Sequence, residues 1–568
     1  MKLFRKIQKW FENQENLYYL FLIILIVPNI VLCFTEPMPL VAKVCNVLLP
    51  FSIYHMIMSW SGNCGKTFWI LFPFLFFGAF QIVLLYLFGQ SVIAVDMFLN
   101  LVTTNPGEAL ELLDNLIPAI IIVVLLYIPA LVLAAVAVSE KRRLSETFVR
   151  RERKRARITV IAGILSLVAA YLFDARYELK SDLYPANVCY NIALAFQRTA
   201  QTQHYAETSK DFTFQAKTTR PEKNREVYVM VIGETSRAAN WSIYGYNRNT
   251  NPELTKIKGL TAFSHVLTES NTTHKSVPML MSSVTAHDFN SIYRQKGIIT
   301  AFKEAGYRTA FFSNQRYNHS FIDFFGKEAD ICDFIKEDTG DGSYNPSDDE
   351  LLKLVAAELA ENASKQFIVL HTYGSHFNYR ERYPADNAFF LPDFPVDAEL
   401  KYKDNLINAY DNSIRYTDNF LARLIRMLQE QDIDAAMLYT SDHGEDIFDD
   451  DRHLFLHASP VPSYYQIHVP FLVWMSDNYR KNYPDFLKNA EINRQKNISS
   501  SASFFQTMLE LGGIDTPSRN DSLSVINASY TEKNRVYLND HNEARSLNDI
   551  GMREEDFTML QMKGIVYR

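Results

Sequence analysis

The chain has 568 residues, 48% of them apolar and 21% charged, and a formal net charge of −7. That length exceeds one ordinary domain, and the acidic balance, with no basic, aromatic-interleaved stripe outside the 139–157 segment, argues against nucleic acid as a partner. The average composition hides two unlike parts, an apolar first third and a globular remainder.

Four stretches near 18–35, 39–60, 67–89 and 116–138 reach the roughly 20 apolar residues that a bilayer span needs, and a shorter fifth lies near 157–173. A cleaved signal peptide would explain only the first of them. Lys2, Arg5, Lys6 and Lys9 precede the first span, and the loop expected over 139–157 holds nine Lys or Arg against three Glu. Both belong in the cytoplasm by the positive-inside rule. The connection over 90–115 contains Asp96, Glu108, Glu111 and Asp114 but no Lys or Arg, as expected on the far side. Five spans then place everything after about 174 outside the cytoplasm. The predicted organisation is a five-helix transmembrane domain over 1–173, a linker with membrane-surface helix over 174–225, and a catalytic domain over 226–568. Of the five cysteines, only Cys189 and Cys332 face an oxidising compartment in this topology, and their pairing is left open.

The outer part opens on VYVMVIG at 227–233, a β-branched run of the kind that forms a strand buried on both faces. QFIVL at 366–370 and AAMLYT at 435–440 read the same way, with helical spacing over 299–307, 349–361 and 403–430. Strands alternating with helices predict an α/β domain with a largely parallel sheet. The polar run at 336–350 reads as a surface loop.

Each of the three strands ends in residues able to bind metal or catalyse: Glu234 after the first, His371 and His376 after the second, Asp442 and His443 after the third. Ligands of open α/β sheets bind outside the carboxyl ends of the strands, so the three endings converge on one crevice. Glu234, Asp442, His443 and a hydroxyl supply an oxygen and nitrogen set suited to a zinc-like cation, while His371, His376 and His457 can hold a phosphate or a second metal. Any one of these residues alone reads as a hydrogen-bonded polar group at a strand end, so the signal is their joint placement. In SNTTHKSVPMLMSS (270–283), Thr272 and Thr273 precede a helix expected to open near Ser276 to Pro278. Thr pairs at such places are usually caps. A metal-activated threonine beside exposed helix amides can also attack a phosphoryl group.

These residues resemble the phosphoethanolamine transferases that modify lipid A and related surface glycans, a sulfatase-like family that includes the mobile colistin-resistance enzymes. VIGETSR, SIYGYNRNTNPEL, THKSVPMLMS, HTYGSH, YTSDHGE, FLHASP and VPFLVWMS occur in the family's order. The resemblance implies an alkaline-phosphatase or sulfatase-like α/β domain, with Thr273 as nucleophile and Glu234, Thr273, Asp442 and His443 around zinc, one ion or two, manganese being less expected. It implies that His376 and His457 contact the phosphoethanolamine group or a second zinc, with His371 in the same substrate-binding shell, and that Asn100, Thr104 and Glu108, spaced i, i+4 and i+8 in NLVTTNPGEA, bind the lipid head group. By composition alone those three read as a cap and a solvated loop.

The implied reaction moves phosphoethanolamine from phosphatidylethanolamine to a lipid-linked glycan acceptor through a phosphothreonine, with release of diacylglycerol, in a monomeric enzyme of the bacterial inner membrane. The family's lipid A branch frames its nucleophile with a disulfide, whereas the flanking positions here are Glu269 and Met279, which leaves the acceptor and polymyxin resistance open. A phosphoglycerol transferase of the lipoteichoic acid type or a membrane-bound phosphodiesterase is the alternative, although GETSR and HTYGSH look unlike the former.

Overall fold

The computed structural model describes residues 6, 9–36, 38–88, 92–98, 106–174, 176–221, 225–336 and 345–567, and within these the side chains of 87–88 and 106–115 lie outside the description. The chain divides into two compact units, Met1–Gln197 and Arg198–Arg568.

The first unit is helical: α1 (Gln14–Thr35), α2 (Leu40–Met58), α3 (Cys64–Ile70), α4 (Phe72–Phe88), α5 (Pro106–Ser139) and α6 (Glu146–Phe173). Four helices, α1, α2, the Leu116–Ser139 part of α5, and α6, are long and apolar enough to cross a bilayer. They expose large aliphatic side chains such as Ile121, Leu125, Ile161 and Leu165 while burying others such as Leu17, Leu22 and Leu25. Helices that are apolar all round belong in lipid. The expected third span is a bent pair, α3 and Phe72–Tyr86 of α4, meeting at 61°. Pro73, the second residue of α4, sits at the break, where its missing N–H cannot continue the hydrogen bonding of α3. The basic stretch is a loop only as far as Ser145. From Glu146 it rides on the first turns of α6, which Ser145 caps by accepting from the Phe148 N–H at 3.2 Å.

The second unit is built on seven strands: β1 (Glu226–Gly233), β2 (Leu260–Phe263), β3 (Arg308–Ser313), β4 (Ile331–Phe334), β5 (Lys365–His371), β6 (Asp434–Ser441) and β7 (Phe471–Met475). Their order is β2-β7-β6-β1-β5-β3-β4. The pairs from β6 through β4 are parallel, and β7 and β2 close one edge antiparallel. Side-chain alternation sorts β1 between two cores. Val227, Val229 and Val231 pack with Leu351 and Val355 of α9 (Asp349–Ala360) and Leu406 and Leu421 of α10 (Lys403–Gln429). Tyr228, Met230 and Ile232 face Val277 of α7 (Thr273–Leu280), Ile299 of α8 (Ile298–Glu304) and Phe504 of α11 (Ser500–Leu511). Both faces of β1 are buried, so truncating Val229 or Ile232 to Ala costs about 2–5 kcal/mol. The register aligns Ile232 with His371 of β5 and Thr440 of β6, so the three central strands end level with one another.

Candidate active site

The level strand ends bring together residues that are far apart in sequence. Glu234, Asp442 and His443 are buried, and one ligand atom from each lies within 4.8 Å of the others. Thr273 reaches the same point: its Oγ1 is 3.2 and 3.4 Å from the two Glu234 oxygens and 3.1 Å from His443 Nε2. Helix α7 starts at Thr273 itself, three residues before the expected opening, because Thr272 is extended and its carbonyl already accepts from the Ser276 N–H at 2.9 Å. Thr272 makes no side-chain cap.

Donor and acceptor roles show what the cluster lacks. His443 Nδ1–H donates to the Gly444 carbonyl at 3.0 Å, which leaves Nε2 as an acceptor. That acceptor lies 3.1 Å from Asp442 Oδ2 and 3.6 Å from Glu234 Oε1. Asp442 Oδ2 is buried and receives no hydrogen bond, whereas Oδ1 accepts from the Thr235 and His443 N–H groups at 3.0 and 2.7 Å. Burial and the neighbouring Asp442 charge push the Glu234 carboxyl up, burial does the same to Asp442, and burial pushes the His443 imidazole down. When both carboxyls are ionised these three acceptor atoms repel one another, and either protons on the raised carboxyls or a cation among them relieves that repulsion. Two carboxylates, an imidazole and a hydroxyl fit zinc or a similar divalent ion.

The segment from 371 to 376 holds Glu234 from above. His371 ends β5 and is buried, with Nδ1 3.2 Å from Ser313 Oγ and burial pushing it down to about 3. Its Nε2 has no partner. The Ser375 N–H donates to the Glu234 carbonyl at 2.9 Å. His376 is also pushed down to about 3, by burial first and then by the charge of His457. Its Nδ1–H donates to the Phe377 carbonyl at 2.6 Å, leaving Nε2 as an acceptor. His457 joins from the other side: its ring centroid is 4.2 Å from that of His443 and 5.9 Å from that of His376. Its Nδ1 is 3.3 Å from Glu445 Oε2. Thr235, Leu456 and Ala458 all take left-handed backbone conformations, each costing on the order of 1–2 kcal/mol, beside Glu234 and His457. Asn100 and Thr104 lie outside the described residues, and Glu108 falls in the first turn of α5 with its side chain outside them.

Two neighbours escape a reading of the sequence alone. Gln315 Nε2 donates to Glu234 Oε2 at 2.9 Å and to the Thr372 carbonyl at 3.1 Å. Asp348 accepts from the Tyr373 and Gly374 N–H groups at 2.8 and 3.0 Å and from Asn314 at 2.7 Å. Gln315 follows RTAFFS, a fourth apolar run ending in polar residues, and that run was the available signal.

Residues 226–514, over half of the chain, match the sulfatase family model, and residues 63–200 match the model described as phosphoethanolamine transferase EptA/EptB. The chain belongs to the sulfatase family, among its phosphoethanolamine transferases. Its relatives include the Kdo(2)-lipid A phosphoethanolamine 7''-transferase of Escherichia coli K12, 32% identical over 51% of each chain. Another is the phosphoethanolamine transferase EptC of Escherichia coli O18:K1:H7, 27% identical over 54% of each. The chain spans about half the length of these relatives. Among solved structures, the integral membrane phosphoethanolamine transferase A of Neisseria meningitidis superposes with a TM-score of 0.71 at 20% identity, covering 90% of this chain and 97% of that one. The C-terminal periplasmic domain of Escherichia coli EptC, in complex with Zn, gives a TM-score of 0.54 at 24% identity over 59% of this chain and 95% of that domain. These two likenesses establish the fold of a phosphoethanolamine transferase, helical anchor and sulfatase-like domain together.

Proposed function

We propose that the chain transfers phosphoethanolamine from phosphatidylethanolamine to lipid A, a core sugar or a related lipid-linked glycan at the periplasmic face of a bacterial inner membrane. The observation that carries the reading is the contact of Thr273 Oγ1 with both Glu234 and His443, in a chain whose 63–200 segment matches the EptA/EptB model. The N-terminus is cytoplasmic in this reading. Residues 1–173 are the anchor, 174–225 the linker and 226–568 the catalytic part, with Asn100, Thr104 and Glu108 on the lipid head group.

In the first displacement, Thr273 Oγ attacks the phosphorus of the donor and the bond to the diacylglycerol oxygen breaks. The Thr273 proton passes to the Glu234 carboxylate to which it is hydrogen-bonded, and from there to the departing diacylglycerol oxygen. In the second, an acceptor oxygen attacks the phosphothreonine, and Thr273 recovers its hydroxyl. His376, neutral and with its Nε2 lone pair available, takes the acceptor's proton. Glu234, Thr273, Asp442 and His443 would hold a zinc ion, which supplies electrostatic stabilisation of the phosphoryl oxygens and lowers the pKa of the threonine hydroxyl. His371, His376 and His457 line the phosphoethanolamine side.

The test uses the full chain in detergent with phosphatidylethanolamine labelled on an acyl chain. Labelled diacylglycerol is expected, lost with chelator and in Thr273→Ala, with one phosphoethanolamine left on Thr273 when no acceptor is supplied. Release that persists in Thr273→Ala would overturn the assignment.

A further inference from the structure

In the second unit, only seven large apolar side chains among the described residues are exposed, and four of them, Phe389, Leu391, Phe394 and Leu400, fall within twelve residues. Phe389, Leu391 and Phe394 are 58%, 66% and 69% exposed, so three open apolar tips fall within six residues rather than scattered singly.

The backbone under these side chains is fastened by buried polar groups. Asn412 of α10 accepts from the Phe389 and Phe390 N–H groups at 2.9 and 2.8 Å and donates to the Phe390 carbonyl at 3.0 Å. Asn408, one turn earlier, donates to the Pro392 carbonyl at 2.8 Å. Asp393 takes an ion pair from Arg380 at 3.0 Å and a hydrogen bond from Tyr383 at 2.7 Å. Arg415 and Arg248 lie over the Phe389 and Phe390 rings, both at 4.1 Å. The apolar tips are therefore held outward by a rigid base, so an apolar phase that receives them loses little conformational entropy to ordering the loop.

The base is shared with the active site. Ser413 of α10 donates to Ser375 Oγ at 2.9 Å, and Tyr410 donates to the Thr235 carbonyl at 2.7 Å. Arg380 and Tyr383 lie within seven residues of His376 in the same loop. The apolar tips thus stand on the platform that carries Thr235 and Ser375.

We propose that Phe389, Leu391 and Phe394 form a wedge that inserts into the interfacial region of a phospholipid bilayer and brings lipid substrates to the His376 side of the site. The occupant is lipid because the chain carries its own bilayer anchor, four helices long and apolar enough to span, so a membrane surface is tethered to this unit in every molecule. The charge pattern agrees. At the surface, Arg248, Arg380, Lys401, Lys403 and Arg415 stand with Glu381, Asp386, Asp397, Glu399 and Asp404, a balanced set matched to a zwitterionic head-group layer. Aromatic and aliphatic tips with flanking basic residues are the composition that partitions into that layer.

The lipid-donor reading supplies the purpose of the wedge, but the wedge is tested without catalysis. The full chain is reconstituted in phosphatidylethanolamine vesicles containing phosphatidylcholine brominated along the acyl chain, with Phe389→Trp, Phe394→Trp and, as a solvated control, Ile492→Trp, a position that is 61% exposed. Tryptophan fluorescence above the unsubstituted background is expected to fall severalfold more for the two wedge positions than for Ile492→Trp, independent of protein-to-lipid ratio. Equal quenching at all three positions would overturn the proposal. Blue-shifted emission that escapes bromolipid and weakens on dilution of protein in lipid would assign the surface to a second copy of the chain, and overturn it as well. Phe389→Ser/Leu391→Ser/Phe394→Ser then reports purpose: a KM for bilayer phosphatidylethanolamine raised severalfold with kcat kept supports substrate delivery. Unchanged KM with the quenching intact would limit the wedge to docking and overturn its delivery role. Failure of the donor reading, by contrast, leaves the quenching result untouched.

Discussion

Gly374 stands against the backbone of Glu234: a Cβ placed on it would be 2.5 Å from the Glu234 carbonyl oxygen and 2.9 Å from its nitrogen. Gly374 also has φ +52°, a conformation that side-chain-bearing residues adopt at a cost. Gly374→Ala must therefore shift either the 371–376 loop or Glu234. The expected outcome is a fall in diacylglycerol release of roughly 10²-fold, as misplacement by about an ångström produces. It should come with a loss of only about 1–3 kcal/mol in stability. A melting curve beside a rate assay checks this. Wild-type rate in Gly374→Ala would mean that Glu234 need not be held where it is.

Asp442 and Glu234 make a second prediction, because their buried carboxylates and His443 Nε2 crowd one point and, once ionised, are relieved by a cation. Zinc measured by atomic emission should be stoichiometric in the wild type and largely lost in Asp442→Asn. Thr273→Ala should keep most of it, since the two carboxylates and the imidazole remain. Chelation should lower the melting temperature of the wild type and leave that of Asp442→Asn nearly unchanged. Equal zinc in Asp442→Asn and wild type would remove Asp442 from the ligand set.

The clustering of these candidate residues was legible in the sequence because β1, β5 and β6 are buried on both faces and so appear as uninterrupted apolar runs, each leading into a candidate residue. They are also neighbours at the centre of the sheet. RTAFFS of β3 was harder to read, since it starts with a half-buried Arg308 and directly follows a helical segment, and with it went Gln315. Asp348 was hidden for another reason: it belongs to a polar, turn-forming run, and only the tertiary fold shows that its carboxylate caps the Tyr373 and Gly374 amides. The break in the third apolar stretch falls at one residue, Pro73, which composition over a 20-residue window averages away.

Glu269 and Met279 stand where the resemblance would place disulfide partners, and neither position carries a thiol that could form one. Glu269 is buried instead against Ser501 of α11, to which it is hydrogen-bonded, with burial raising its carboxyl, and its carbonyl accepts from the Leu538 N–H at 2.8 Å. The Thr273 segment is thus tied down without a covalent link. Dithiothreitol should leave both transfer activity and melting temperature unchanged to within about 1 °C, whereas loss of a structural disulfide would cost about 2–5 kcal/mol. A shift of several degrees on reduction would reveal a pairing in solution.

Asp418 gives a pH dependence away from the metal cluster. Its carboxylate accepts from the Glu253 and Leu254 N–H groups at 2.9 and 3.0 Å, yet burial pushes it up to about 7. In the unfolded chain the same group titrates near ~3.9. Below that pH both states carry the proton and no penalty arises. As pH rises towards 7 the unfolded chain releases its proton while the folded one retains it, so this contribution to stability is present in acid and lost through about pH 7. Over the whole range the loss is on the order of 4 kcal/mol, roughly 1.4 kcal/mol for each of about three pH units. Asp418→Asn keeps an acceptor for one amide and cannot ionise, so its own cost is the same at every pH. Melting curves in detergent at pH 5 and pH 8 should show the wild type losing ground to Asp418→Asn by a few degrees at the higher pH. Parallel behaviour would mean that the two amides outweigh burial and that Asp418 stays charged throughout.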